Sequence, residues 1–158
     1  ESTDYVIREF ELDPLIRSCV RKFAPDFIGK QLHLELEPTN TRVVSDEKWL
    51  AFVIEQLLSN ALKYTPEQGR ISVTWEDATQ TLTIGDTGIG IRPEDLPRVF
   101  EKGFTGYNGR EQKKSTGIGL YLCRRVLGKL GHTIIITSTP GQGTQVQLGL
   151  AAAEQVIE

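Results

Sequence analysis

Leu50, Val53, Ile54, Leu57, Leu58, Ala61 and Leu62 recur at steps of three and four, the spacing of one face of an α-helix. They predict a helix over residues 46–65, closed by Pro66 and Gly69. "DPLIRSCVRKFAPDFIGK" (13–30) reads as a second helix, with Asp13 at the N-cap and Pro14 as the first helical residue. "TGIGLYLCRRVLGKLG" (116–131) reads as a third. Elsewhere the period drops to two. "YVIREFEL" (5–12), "QLHLELE" (31–37) and "TRVVS" (41–45) alternate as strands, with Leu32, Leu34 and Leu36 on one face. "RISVTWED" (70–77) and "QTLTIGD" (80–86) make one hairpin, and "TIIITST" and "TQVQLGL" make another around "PGQGT". Residues 101–115 follow neither period and carry Gly103, Gly106 and Gly109, which predicts a long loop. The sum is an α+β fold: a two-layer sandwich in which three helices cover one face of a mixed, mostly antiparallel sheet.

Composition narrows the classes. The 158 residues suit one domain, 1–158 with a core at about 5–150, and 39% hydrophobic with 25% charged residues marks it as globular. A net charge of −3 without a basic block argues against nucleic acid or a membrane surface as partner. Cys19 and Cys123 lack zinc or redox spacing, so they read as buried free thiols in a reducing compartment. No apolar run approaches the ~20 residues of a membrane span, and there is no signal peptide. The start at Glu1, without Met, suggests a segment of something longer whose anchor lies outside it.

Candidate chemistry gathers on the long helix and among the glycines. Asn60 lies four residues after Gln56, with Lys63 and Tyr64 three and four further on, so the four share one helical face. That stripe reads either as a solvated face or as a site. Asn is a middling helix former, and its carbonyl is a hard oxygen suited to Mg²⁺, which takes most of its ligands from phosphates and water. Lys63 could neutralise such phosphates as a point charge. "GDTGIGI" (85–91) places Asp86 at a strand end with Gly88 and Gly90 close behind, an ordinary turn if taken alone. "STGIGLYL" (115–122) sets Gly117 and Gly119 before a helix, where backbone N–H groups could meet an anion. Two such pairs flanking a glycine-studded loop are less accidental than either one. Neither fits the dinucleotide fingerprint or the P-loop.

"EQLLSNALKYT", "GDTGIGI", "VFEKGFT", "STGIGLYL" and "GQGT" occur in the order of the N box, first glycine box, F box, second glycine box and last glycine box. The chain thereby resembles the ATP-binding catalytic domain of two-component sensor histidine kinases, in the gyrase–Hsp90–histidine kinase–MutL superfamily. "FEKGFTGYNGR" looks like the lid of the small sensor kinases paired with antimicrobial-peptide transporters. The resemblance implies ATP bound between the long helix and a lid loop. Asp86 would accept a hydrogen bond from the adenine amine, Gly88, Gly90 and Ile91 would approach the base, and Tyr64 would pack beside it. Gln56 and Asn60 would face the phosphates, with Asn60 holding Mg²⁺ and Lys63 close by. Thr116 and the amides of Gly117, Ile118, Gly119 and Leu120 would cradle the phosphates. Arg110, Lys113 and Lys114 are candidates for the γ-phosphate, Phe100 and Phe104 for anchoring the lid. Thr144 either hydrogen-bonds near the adenine or merely starts a strand.

Two departures stand out. The family's N box has Asn where this chain has Gln56, and the phosphoacceptor is missing, since His33 ("HLE") and His132 ("GHT") read as ordinary strand residues. The resemblance therefore implies the catalytic half of a kinase. Its partners would be a histidine-bearing dimerisation domain of the same protein and a downstream response regulator. It would be the cytoplasmic part of a membrane-bound homodimer working with a transporter. The alternatives are a superfamily ATPase acting as a conformational clamp, which has Glu at the position of Gln56, and a catalytically silent nucleotide-sensing module.

Overall fold

A computed structural model describes residues 4–104 and 119–152. Strands β1 (Ile7–Glu11) and β3 (Arg42–Asp46) pair antiparallel as a separate ribbon. A five-stranded sheet holds β2 (His33–Leu36), β4 (Arg70–Glu76), β5 (Thr81–Asp86), β7 (Gly143–Gly149) and β6 (Thr133–Thr139), in that spatial order. Only β2 and β4 run parallel; the other neighbours are antiparallel, so the sheet is mixed as expected. Helices α1 (Leu12–Lys22), α3 (Glu47–Tyr64) and α4 (Gly119–Lys129) form the second layer, with α3 in contact with both others, and α2 (Ala24–Gly29) is a short addition.

The two periods in the sequence explain how the layers close. Leu50, Val53, Ile54, Leu57 and Leu58 of α3 are all buried, as are Ile71 and Val73 of β4, Leu82 and Ile84 of β5, and Val146 and Leu148 of β7. They form one continuous core. Each such side chain contributes roughly 1.5–3 kcal/mol when fully buried. Cys19 and Cys123 are free and buried in this core, and burial pushes both thiols up to about 12. Asp46 begins α3: its Oδ1 accepts from Trp49 N at 2.9 Å as an N-cap, and its Oδ2 accepts from Val6 N at 2.7 Å.

Two expectations are corrected. Residues 13–30 are not one helix. Pro25 lies in the first turn of α2, where it lacks the N–H that would continue the ladder from α1, and the chain restarts after Phe23. Nor is Asp13 the N-cap. The helix begins at Leu12, whose N–H bonds Thr41 O, so Asp13 falls inside the first turn. Its carboxylate instead accepts from Thr39 N, Thr39 Oγ1 and Asn40 N, tying α1 to the β2–β3 connection.

His33 lies in an exposed position of β2. His132 stands one residue before β6 rather than opening it. Gly131, with φ of 79°, ends α4 and lets His132 N reach back to Leu127 O at 2.8 Å, a Schellman-type stop. The His132 ring is buried, with Nε2 2.9 Å from Ser45 Oγ and Nδ1 without a partner among the described residues. Burial holds its pKa below the usual imidazole value. Above about pH 6.5 the imidazole is neutral in both folded and unfolded chains. Below that, the unfolded chain takes up a proton that the folded chain resists, so stability falls as pH drops towards the folded value. Thermal unfolding between pH 8 and 5 should show a melting temperature that declines more steeply for the parent than for His132→Gln. Equal slopes would contradict this reading of His132.

Candidate functional site

On the helix-facing side of the sheet, Val73, Ile84, Val146 and Ile136 are cross-strand neighbours in one row. Two residues along each strand, on the same face, the row becomes Ile71, Asp86, Thr144 and Ser138. Beyond Ile71 the row turns polar, and a carboxylate stands in it. Asp86 Oδ1 accepts from Gly88 N at 2.8 Å and from Thr144 N at 3.3 Å, while Oδ2 has no hydrogen bond to a described residue. Burial raises the Asp86 pKa and the two N–H donors lower it; the net position is above the usual carboxylate range. Thr144 is the second residue of β7.

The glycines hold the next segment against this row. Ile89 N donates to Tyr64 O at 3.1 Å, and Ile89 O accepts from Gly141 N at 2.8 Å. Residues 88–91 are therefore fastened at one side to the C-terminal end of α3 and at the other to the β6–β7 turn. A Cβ on Gly88 would stand 2.5 Å from Tyr64 O and 2.9 Å from Asp86 Oδ1. Gly90 has φ of 78°, and a Cβ there would run into Thr139 O. Ile91 N donates to Ser138 Oγ at 2.8 Å. The α3 end is itself clamped: Lys30 Nζ donates to Leu62 O at 2.6 Å and to Thr65 O at 2.7 Å.

Along α3, Gln56, Asn60, Lys63 and Tyr64 are all half-buried. No hydrogen bond joins the Gln56 or Asn60 amide to another described residue. Lys63 Nζ lies 5.5 Å from the Tyr64 ring centroid, and burial depresses the Lys63 pKa. A half-buried ammonium of this kind suits an anionic ligand. At the start of α4, a Cβ on Gly119 would come 2.7 Å from Gln56 Oε1, so the glycine leaves room for that amide. Leu120 follows it, half-buried.

The structure therefore assembles Gln56, Asn60, Lys63, Tyr64, Asp86, Gly88, Gly90, Ile91, Thr144, Gly119 and Leu120 around the ends of α3, β5 and β7 and the start of α4. Arg110, Lys113, Lys114, Thr116, Gly117 and Ile118 lie outside the described residues. Phe100 stacks under Arg124 of α4 at 4.9 Å, and Phe104 under Arg98 at 4.4 Å; the rest of the expected lid, from 105 to 118, lies outside the described residues. Sequence reasoning missed Ser138 and Lys30. Ser138 had one legible signal, a polar residue in alternation with Ile134 and Ile136 on a core-facing row. Lys30 had none, because its partners are backbone carbonyls distant in sequence. Among the described residues no cluster of three or more His, Cys, Asp or Glu could hold a metal alone. No helix among them is long and apolar enough to cross a membrane.

The family model described as histidine kinase-, DNA gyrase B- and HSP90-like ATPase matches residues 45–154, most of the chain and all of this site. The chain belongs to that family. The sensor histidine kinase YxdK of Bacillus subtilis (strain 168) is 34% identical over 148 residues, covering 91% of this chain and 46% of the relative. The sensor protein kinase GraS of Staphylococcus aureus (strain JH1) is 42% identical over 118 residues, covering 73% of this chain and 34% of the relative. The chain thus spans less than half the length of these relatives. Among solved structures, the nucleotide-free catalytic domain of the histidine kinase ThkA superposes with a TM-score of 0.77 at 26% identity, covering 90% of this chain and 95% of that one. This is a histidine-kinase-type ATP-binding catalytic domain.

The two glycines at the site differ in what they face. Gly88 faces a fixed backbone carbonyl, whereas Gly119 faces the movable end of a glutamine. Gly88→Ala should destabilise the fold by about 1–3 kcal/mol in urea unfolding, by forcing residues 88–91 off α3. Gly119→Ala should stay within about 1 kcal/mol of the parent, since Gln56 swings aside and Ala favours the helix. Equal losses at the two positions would contradict the account of residues 88–91.

Proposed function

We propose that this domain binds Mg-ATP and presents its γ-phosphoryl group to a histidine on a helical dimerisation domain of the same protein, in two-component signalling. The observation that carries the reading is Asp86: a carboxylate at the end of a core row, one oxygen held by backbone N–H groups and the other left as an acceptor. Such an oxygen matches the amine of adenine. Beside it, Gly88 and Gly90 let residues 88–91 pack against the Tyr64 and Thr139 carbonyls, and Tyr64 lies at the adjoining helix end.

The α3 stripe supports the phosphate end. Asn60 supplies a hard amide oxygen and Lys63 an under-neutralised ammonium, a set that fits a cation carried mainly by phosphates and water rather than by a protein cage. Asn60 would hold the Mg²⁺, whose charge would offset that of the phosphates when bound. Lys63 orients the chain of phosphates, and Gln56 lies between Asn60 and the start of α4, where Gly119 adjoins it. Phosphoryl transfer depends chiefly on positioning and charge, so the acceptor imidazole can come from another domain without a base here. Arg110, Lys114, Thr116, Gly117 and Ile118 are assigned to the phosphate side by the family resemblance. The parent protein is proposed to be a membrane-anchored homodimer with this domain in the cytoplasm, a response regulator downstream and a peptide transporter as companion.

The clamp-ATPase alternative requires a carboxylate to take a proton from water at the γ-phosphorus. Gln56 is a neutral amide and cannot do so at any working pH. The chain should therefore bind ATP and barely hydrolyse it. With [γ-³²P]ATP, Mg²⁺ and the helical hairpin of the parent protein, acid-labile label should appear on the hairpin while phosphate release by this domain alone stays near background. Gln56→Glu should raise that release, by up to ~10²–10⁴-fold if the new carboxylate aligns a water. Robust turnover by the parent domain alone, with no label on the hairpin, would favour the clamp ATPase instead.

A further inference from the structure

We infer that Ser138 is a specificity-positioning residue: by fixing the proton of the Thr144 hydroxyl, it makes the base-reading edge of this site an all-acceptor edge. The inference rests on the ATP reading and deepens it. Ser138 lies half-buried at the end of the polar row, next to Thr144, which is next to Asp86. Its Oγ lies 2.8 Å from Ile91 N, 2.9 Å from Gly143 O and 2.9 Å from Thr144 Oγ1.

A serine hydroxyl has one proton and two lone pairs. Ile91 N–H can only donate, so it occupies one lone pair. Gly143 O can only accept, so it takes the single proton. The remaining lone pair faces Thr144, and the bond between the two hydroxyls is completed only if Thr144 donates. The reverse assignment would leave Ser138 Oγ and Gly143 O in contact at 2.9 Å with no proton between them, a repulsive arrangement. The direction of the Thr144 proton is therefore set by its neighbour and not by a ligand. Thr144 then offers the site only lone pairs, as does the outer oxygen of Asp86 beside it.

An all-acceptor edge suits a base with an exocyclic amine and disfavours one with a carbonyl at the same position. Asp86 supplies the attraction; Ser138, through Thr144, removes the one hydroxyl that could rotate to donate to a carbonyl oxygen. Specificity built this way depends on a residue that need not touch the base. Inosine triphosphate is the probe: it replaces the 6-amino group of ATP with a carbonyl, carries an N–H donor at N1 and adds nothing at position 2. The change of the ratio from parent to variant, and not its parent value, therefore reads Thr144.

The test is calorimetric titration of the domain with ATP and inosine triphosphate, in Mg²⁺, for the parent, Ser138→Ala, Ser138→Thr and Thr144→Val. Ser138→Ala frees the Thr144 proton, and the ratio of ATP to inosine triphosphate affinity should fall about three- to tenfold, the worth of one neutral hydrogen bond. Ser138→Thr keeps the hydroxyl and should restore the ratio. Thr144→Val deletes the acceptor hydroxyl outright and should lower the ratio even if Ser138→Ala folds poorly. If Ser138→Ala and Thr144→Val weaken both nucleotides equally and leave the ratio at the parent value, Ser138 is only a structural strut and the inference is overturned. If the parent binds neither nucleotide, the ATP reading itself fails and this inference falls with it.

Discussion

A carboxylate at the end of a hydrophobic core is tolerable only when its charge is partly met by the protein, and this requirement shapes everything around Asp86. Two backbone N–H groups, from Gly88 and Thr144, meet one oxygen. To deliver the first, the chain must turn back at once, and it can do so against α3 only if residue 88 has no side chain. To deliver the second, β7 must pair with β5 so that Thr144 lies opposite Asp86. The close approach of Gly143 to the Asp86 carbonyl belongs to the same constraint, since a Cβ there would overlap it. The desolvation that remains lifts the Asp86 pKa above the usual carboxylate range.

The support for this arrangement comes from residues far from the chemistry. Asp46 starts α3 by capping Trp49 N, and the Lys30 ammonium stops it by taking the Leu62 and Thr65 carbonyls. A cation at a helix C-terminus is favourable towards the dipole as well as to the unpaired carbonyls. Between those stops, the buried stripe of α3 fixes the rotation of the helix on the sheet, and that rotation sets Gln56 against Gly119 at the start of α4. Rigid placement of this kind is what positional catalysis requires. The Tyr64 carbonyl joins the two halves of the site, since it receives Ile89 N directly.

Much of this was legible in the sequence because apolar periodicity reports burial. The long helix, both hairpins and the two-layer architecture follow from Leu, Ile and Val at steps of three, four or two. The ends of elements were less legible. Pro25 broke a helix that the apolar pattern carried through, and Asp13 served a loop twenty-six residues away instead of its own helix start. At the site, Asp86, Asn60, Lys63 and the glycines drew notice because five motifs stand in one order, while the Asp86 stretch alone read as an ordinary turn. Lys30 did not, since a lysine after a glycine looks like an ordinary surface residue, and Ser138 had only its alternation with Ile134 and Ile136 to mark it. Their roles exist only in the register of β6 with β7 and in the reach from α2 to the end of α3.

The central claim is that the free oxygen of Asp86 reads the amine of adenine, and isothermal titration of the domain with Mg-ATP and Mg-GTP tests it most directly. A hydrogen bond to a charged group contributes roughly 1.5–3 kcal/mol. ATP should therefore bind the parent while GTP, which presents a carbonyl to that oxygen, binds far more weakly, and Asp86→Asn should lose at least about tenfold in ATP affinity. Equal affinity for the two nucleotides, or an Asp86→Asn variant that binds ATP like the parent, would contradict the account.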